Sequence, residues 1–149
     1  MEHKTENEKK KEYLWRYRKT VRAIERIRAE LEEIRDMKRG ISVVNDGMPH
    51  GSGGEDLSGY AAKLDALERS LISERCRRVK CYTEITEALE GIKNENEKDV
   101  LFYRYIKGME WWEIAEKMSY SDRWIRKLHG RALAHLIIPK EFLEVPVSM

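Results

Sequence analysis

Residues 111–133 read WWEIAEKMSYSDRWIRKLHGRAL, and their pattern predicts two short helices joined by a tight turn. The first helix is predicted over residues 111–118. Ser119 and Tyr120 form the turn, and Ser121 caps a second helix that reaches about Ile137. Two helices that cross steeply need a small residue at the crossing, here Ala115, and apolar inner faces. The inner positions are Ile114, Met118, Ile125 and Leu128. This arrangement is that of a helix-turn-helix.

The second helix of this pair carries a basic outer face. Residues 121–136 hold four basic residues and one acidic residue, for a net charge of +3 before the histidines are counted. Residues 110–118 hold three glutamates and one lysine. This asymmetry is expected when one helix enters the major groove and the other supports it, although a solvated helix face has the same composition. The candidate DNA-binding residues are Ser121, Asp122, Arg123, Trp124, Arg126, Lys127, Gly130 and Arg131.

Separate roles are expected for these residues. Arg123 and Arg126 are predicted to read bases, because arginine fits guanine bidentately, while Lys127 and Arg131 anchor phosphates. Arg131 has a competing role as the partner of a carboxylate such as Glu113 or Glu116. Trp124 is large for a groove-facing position, so packing beneath the first helix of the unit is the alternative. Arg104 and Tyr105, on the preceding helix, are expected to brace the unit.

Two long amphipathic helices are predicted upstream. Apolar steps of three and four from Lys9 to about Lys38 indicate the first, ended by Gly40. Residues 40–54 are rich in glycine and contain Pro49, which predicts a loop. The second helix starts with Asp56 or Ser58 as its cap, and its apolar stripe has a heptad register with Glu74 and Arg78 at inward positions. The stripe is Leu57, Tyr60, Leu64, Leu67, Leu71, Cys81, Ile85, Ala88 and Ile92.

The predicted fold is therefore all-α. Residues 1–92 form a long antiparallel helical hairpin or coiled coil, or pair with another copy of the chain. Residues 93–138 form a tri-helical helix-turn-helix unit, and residues 139–149 form a tail. Within the unit, Asn94 and Glu97 are predicted to form a capping box for a helix to about Lys107, which Gly108 terminates. Pro139 is expected to stop the last helix.

Overall charge conceals strong local differences. The 149 residues include 29 basic and 27 acidic side chains, and the net charge of +2 taken alone argues against a polyanion partner. From Lys9 to Arg28, however, nine basic residues stand against Glu12 and Glu25, a net charge of +7. This stripe is either a second nucleic-acid surface or a flank that pairs with acidic residues of the second helix.

Nothing in the sequence indicates catalysis. The four histidines are scattered, His129 and His135 stand six apart rather than four, and no P-loop spacing occurs. We expect no catalytic residue, no metal site and no cofactor. Cys76 and Cys81 fit reduced thiols. No signal peptide and no window of about 18 apolar residues is present, which predicts a cytoplasmic protein with no membrane partner.

Residues 114–121 and 125–133 resemble region 4 of bacterial sigma factors, a promoter-reading helix-turn-helix. More widely, residues 14–136 resemble the ArpU and RinA-like phage transcriptional regulators of Gram-positive bacteria. The resemblance rests on Tyr13-Leu14-x-Arg16-Tyr17, Asp46-Gly47-Met48-Pro49-His50-Gly51-Ser52-Gly53, Leu101-x-x-Arg104-Tyr105-Ile106 and His129-Gly130-Arg131-Ala132-Leu133. One departure is Ser119, where many helix-turn-helix turns have glycine.

That resemblance implies a sequence-specific activator of phage or prophage late genes, with the helix over residues 121–136 in the major groove. The expected partners are double-stranded promoter DNA, host RNA polymerase as a further candidate, and a second copy of the chain, with a dimer favoured. Two alternatives stay open. One is a DNA-packaging subunit like a small terminase, and the other is a coiled-coil interaction protein that binds RNA polymerase.

Overall fold

The computed structural model describes residues 4–44 and 53–144, and side chains within 4–40 and 58–143. All secondary structure in these residues is helical, which confirms the predicted all-α class. The elements are α1 (Glu6–Val44), α2 (Gly53–Glu90), α3 (Glu95–Leu101), a π-helical turn (Phe102–Ile106), α4 (Trp111–Met118), α5 (Asp122–His135) and α6 (Lys140–Glu144). No helix in the described ranges is long and apolar enough to cross a membrane.

The chain divides into two compact units. One, here called the terminal unit, comprises the described residues of Met1–Lys19 and Val79–Met149, and the other, the helix-pair unit, comprises Thr20–Arg78. This division differs from the predicted boundary near residue 92, because the first turns of α1 and the last turns of α2 belong to the same compact unit as α3 to α6.

In the helix-pair unit, α1 and α2 run antiparallel. Tyr60 lies against Met37, with 3.9 Å between hydroxyl and sulfur, while Glu68 lies 3.7 Å from Arg35 further along α2. The shared core consists of Ile27, Leu31, Ile34 and Leu67, with Tyr60, Leu64 and Leu71 packed against it. These side chains follow the predicted three- and four-residue steps, because only one face of each helix can reach its neighbour.

The predicted loop over residues 40–54 is too long. Helix α1 continues through Gly40 to Val44, since glycine ends a helix by adopting a positive φ and Gly40 does not. Helix α2 already begins at Gly53, so neither Asp56 nor Ser58 caps it. Residues 45–52 of the predicted loop, and the side chain of Leu57, lie outside the described residues.

Within the terminal unit, the first turns of α1 contact the last turns of α2. The Tyr17 and Tyr82 ring centroids are 5.9 Å apart, and Arg16 Nη1 lies 3.3 Å from Glu84 Oε1. Buried side chains here are Tyr13, Leu14, Tyr17, Cys81, Ile85 and Leu89. Leu89 is buried and the predicted Ala88 only half-buried, because an α-helix does not keep a strict heptad register over this length.

Helix α3 begins as predicted and ends differently. Glu97 N donates to Asn94 Oδ1 at 3.1 Å, which confirms the Asn94 cap. The predicted capping box is not completed, because the Glu97 carboxylate bonds to His135 Nδ1 at 2.6 Å instead. The single helix predicted to reach Lys107 gives way to the π-helical turn, closed by Lys107 N donating to the Phe102 carbonyl at 3.1 Å. Gly108 then adopts φ +69°.

The C-terminal end also differs from the predictions. Helix α5 ends at His135 rather than near Ile137, because Leu136 is extended. Pro139 does not end the helical structure, since its carbonyl accepts from Phe142 N at 3.0 Å and starts α6 inside the predicted tail. The Phe142 ring packs edge-on against Tyr13 at 5.2 Å, so α6 belongs to the terminal unit.

Candidate nucleic-acid interface

Helix α4 occupies the predicted residues and supports α5. Its first turn is closed by Glu110 N donating to Glu113 Oε1 at 2.9 Å, which satisfies a backbone donor that the helix leaves free. Ile114 and Ala115 are buried on its inner face. The core beneath the interface consists of Val100, Ile114, Ala115, Ile125 and Leu128, with Tyr103, Met109, Trp111, Met118 and Trp124 packed against it.

The turn between α4 and α5 is held by backbone hydrogen bonds. Ser119 lies in the left-handed region at φ 60°, ψ 41°, a conformation that glycine adopts at lower cost. Tyr120 N donates to the Ala115 carbonyl at 2.9 Å, and the Tyr120 hydroxyl accepts from Asn96 Nδ2 at 3.2 Å. The serine therefore occupies the left-handed position that many helix-turn-helix turns fill with glycine, and the turn is also tied to α3.

Ser121 begins α5 as predicted. Its Oγ accepts from Trp124 N at 3.1 Å, the usual N-cap bond. The inner face of α5 is buried through Ile125, Leu128, Ala132 and Leu133. With α5 capped and packed in this way, the orientation of its opposite face is fixed by α3 and α4.

That opposite face holds seven of the eight predicted residues in an exposed position. They are Ser121, Asp122, Arg123, Arg126, Lys127, Gly130 and Arg131. Trp124 is half-buried and packs on the core, as its predicted packing role requires. None of the four cations forms an ion pair with a carboxylate of the described residues, so the charge of this face is not neutralised.

Two of these arginines lie over aromatic rings. The Arg126 guanidinium is 5.3 Å from the Trp111 ring centroid, and Arg131 is 5.1 Å from that of Trp124. The predicted alternative for Arg131, an ion pair with Glu113 or Glu116, is not formed. A cation–π contact orients a guanidinium without cancelling its charge or occupying all its donors. Arg126 and Arg131 therefore remain able to bind an anion.

A buried polar pair braces the inner side of α5. The Tyr105 hydroxyl lies 2.7 Å from His129 Nε2, and both residues are buried. Burial, with smaller effects of Lys11 and Arg104, lowers the pKa of His129 to about 4, and burial raises the pKa of Tyr105. At neutral pH the imidazole is therefore uncharged, and the phenol hydroxyl is its hydrogen-bond partner. The predicted bracing role of Tyr105 is confirmed.

Arg104 also has the bracing role that was predicted for it. Its Nη1 donates to the Met109 carbonyl at 2.9 Å, just before α4. The guanidinium lies 4.4 Å from the Trp111 ring centroid and 5.4 Å from that of Trp15. Arg104 therefore connects the first turns of α1 to the start of α4, and it is half-buried rather than available to DNA.

The basic stripe over residues 9–28 is partly structural. Pairing with an acidic residue of α2 was one of its two predicted roles, whereas its bonds to backbone carbonyls were not predicted. Lys9 Nζ donates to the Leu143 carbonyl at 2.6 Å and Lys10 Nζ to the Leu133 carbonyl at 2.7 Å. Arg16 pairs with Glu84, and Arg18 Nη1 donates to the Ile106 carbonyl at 3.1 Å. Four of the nine cations are thus used within the fold. Lys10 lies three and four residues from the buried Tyr13 and Leu14, a spacing that indicates its inward direction.

The described residues contain no group of three or more histidine, cysteine or acidic side chains that could hold a metal ion.

Residues 94–136 match the family model Sigma-70, region 4. The match begins at the N-cap of α3 and ends at the residue after α5, so it covers α3, the π-helical turn, α4 and α5. This part of the chain is a helix-turn-helix domain of the DNA-binding type. No curated protein and no solved structure matches the chain.

Proposed function

We propose that this chain is a sequence-specific DNA-binding transcriptional regulator whose helix α5 enters the major groove. The observation that carries the proposal is the outer face of α5, where four cations without carboxylate partners stand on a capped helix within a region similar to Sigma-70 region 4. The proposed role is regulatory and non-catalytic.

The geometry favours a division of labour on this face. Arg123 and Arg126 read base edges, because their forked donors match guanine in the major groove, and the Trp111 ring restricts the orientation of Arg126. Lys127 and Arg131 bind phosphates. Ser121 directs the positive end of α5 toward the backbone. A Cβ at Gly130 would meet no neighbouring atom of the described residues within 4 Å, so the backbone there is open to a close approach by DNA.

The finer role that we propose is activation of phage or prophage late genes. Its support is the resemblance of residues 14–136 to the ArpU and RinA-like regulators. In this role the long helices α1 and α2 pair two copies of the chain or contact host RNA polymerase, and the protein acts on promoter DNA in the bacterial cytoplasm. The alternating apolar steps of both helices favour a dimer.

The first experiment is selection of bound duplexes from a random pool, followed by footprinting on the enriched site. The enriched duplex is then titrated at fixed salt with the wild type and with Arg126→Ala, which we expect to bind about 5- to 150-fold more weakly and to lose preference at one base pair. Arg75→Ala is the control, because Arg75 is exposed on α2 and forms no ion pair with the residues that the structure describes.

The outcomes separate the levels of the proposal. If no duplex is enriched, DNA binding itself is wrong. If Arg126→Ala keeps both affinity and preference, the base-reading role of Arg126 is wrong. Light scattering tests the assembly: a dimer supports the regulator, whereas a ring of eight or more subunits favours the packaging alternative. Activation is tested by transcription from the enriched site with RNA polymerase, where repression or no effect contradicts the finer role.

A further inference from the structure

The first turns of α1 are fixed against the C-terminal half of α5. Lys10 is buried, and its Nζ donates to the Leu133 carbonyl at 2.7 Å and lies 3.4 Å from Glu6 Oε1. Lys9 reaches the Leu143 carbonyl at 2.6 Å. A buried ammonium is retained only where such acceptors compensate for lost hydration. The position of α1 beside α5 is therefore well defined.

Lys11, the next residue, has the opposite environment. It is exposed and forms no hydrogen bond or ion pair with the described residues. One turn further on, Trp15 packs edge-on against Tyr105 at 5.0 Å, and Tyr105 holds His129 of α5. Residues 11 and 15 lie on the same side of α1, so Lys11 lies on the side that faces Tyr105 and His129. The effect of its charge on the His129 pKa agrees with this placement.

An aromatic pair connects His129 to Arg126 on the basic face of α5. The His129 and Trp111 ring centroids are 4.8 Å apart, and the Arg126 guanidinium lies over Trp111 at 5.3 Å. Arg126 thus lies over Trp111, Lys11 lies on the side of α1 that faces His129, and neither is neutralised by a carboxylate of the described residues. DNA presents a negative charge about every 3.4 Å along each strand, so an exposed, unpaired cation near the recognition helix is a candidate phosphate ligand.

We propose that Lys11 of α1 binds a DNA phosphate beside α5, so that the interface includes the first turns of the chain as well as the helix-turn-helix. The inference rests on the proposed DNA-binding function. It identifies one member of the basic stripe over residues 9–28 as a phosphate ligand, whereas Lys9, Lys10, Arg16 and Arg18 hold the fold together.

The test is a fluorescence-anisotropy titration of the full chain with the enriched duplex at several salt concentrations. Lys11→Gln is expected to reduce the slope of log K against log salt by about 0.9, which corresponds to about eightfold weaker binding at about 0.1 M salt. Lys11→Arg keeps the charge and is expected to restore the wild-type slope. Lys80→Gln is the matched control, because Lys80 is an exposed lysine of α2 with no ion pair in the described part of the chain.

Arg126→Ala and thermal unfolding complete the design. All variants should unfold at the wild-type temperature, because the three substituted positions are exposed. If Arg126→Ala weakens binding while Lys11→Gln behaves like Lys80→Gln, the Lys11 contact is wrong and the proposed function stands. A slope reduced equally by Lys11→Gln and Lys80→Gln also overturns the contact, because the effect is then one of net charge. If the wild type binds no duplex, the function and the inference both fail.

Discussion

Acidification should destabilise the terminal unit through His129. Burial lowers the pKa of this imidazole from 6.5 to about 4, with Lys11 and Arg104 acting in the same direction. Above pH 6.5 the ring is neutral in both the folded and the unfolded chain. Below pH 6.5 the unfolded chain takes up a proton that the folded chain binds only near pH 4. The contribution of His129 to the free energy of unfolding is therefore fully present above pH 6.5 and is lost as pH falls.

The magnitude follows from the difference between the two pKa values. At about 1.36 kcal/mol per pH unit, the free energy of unfolding should fall by about 3 kcal/mol between pH 6.5 and pH 4, of which about 2 kcal/mol is lost by pH 5. A domain of ordinary stability has about 5–15 kcal/mol in total, so the effect is large enough to measure. The pH 5 point is the most useful, because carboxylates with ordinary pKa values are still mostly ionised there.

The assay is urea unfolding followed by far-UV circular dichroism at pH 7, 6 and 5. His129→Phe removes the titrating ring and the hydrogen-bond partner of the Tyr105 hydroxyl. We therefore expect it to be less stable at pH 7 by about 1 kcal/mol and nearly insensitive to pH over this range. Comparing the pH responses of the two proteins cancels the contributions of the other histidines. An unchanged response in His129→Phe, or a folded-state NMR titration of His129 near pH 6.5, would refute the reasoning.

Three further substitutions test the backbone around the interface. Gly130→Ala should raise the free energy of unfolding by about 0.5–1 kcal/mol, because the site is open and helical. If a DNA strand approaches the backbone at this position, the same substitution should weaken DNA binding. Equal or tighter binding contradicts that approach. Ser119→Gly should stabilise the protein by about 0.5–1 kcal/mol in urea unfolding by relieving the left-handed serine, and a loss of stability would contradict this. Gly108→Ala should lower the thermal midpoint and reduce the free energy of unfolding by about 2 kcal/mol, since φ is +69° and the new Cβ would lie 2.6 Å from Arg18 Cζ. An unchanged midpoint would show that the loop adjusts.

Local signals explain which parts of the fold could be predicted. The ends of α4 and the start of α5 are specified by neighbouring residues, because the Ser121 cap and the apolar steps around it act within one or two turns. The predicted helix end at Gly40 was wrong because a glycine residue permits a helix to end but does not require it. The π-helical turn at Phe102–Ile106 has no cap or breaker that marks it in the sequence.

The candidate site shows the same limit. Exposure of Arg123, Arg126 and Lys127 follows from helical periodicity, so the outer face of α5 could be predicted from α5 alone. The contacts of Lys10 with Leu133 and of Tyr105 with His129 join distant parts of the chain, and periodicity carries no information about such pairs. The prediction therefore offered one role or the other for the whole basic stripe of α1, whereas tertiary packing gives its cations different roles, some bonded within the fold and others exposed.

The contact between Lys10 and Leu133 has a consequence for how the chain folds. The two residues are 123 positions apart, and Lys9 and Leu143 are 134 apart. Contacts of such separation form late, because a long segment must be ordered before they are made. During synthesis α1 emerges first, and it cannot form these contacts until α5 and α6 have been translated. We expect stopped-flow refolding to show α1 docking as the slow step, so that a nascent chain completes the terminal unit only after Leu143 has been added.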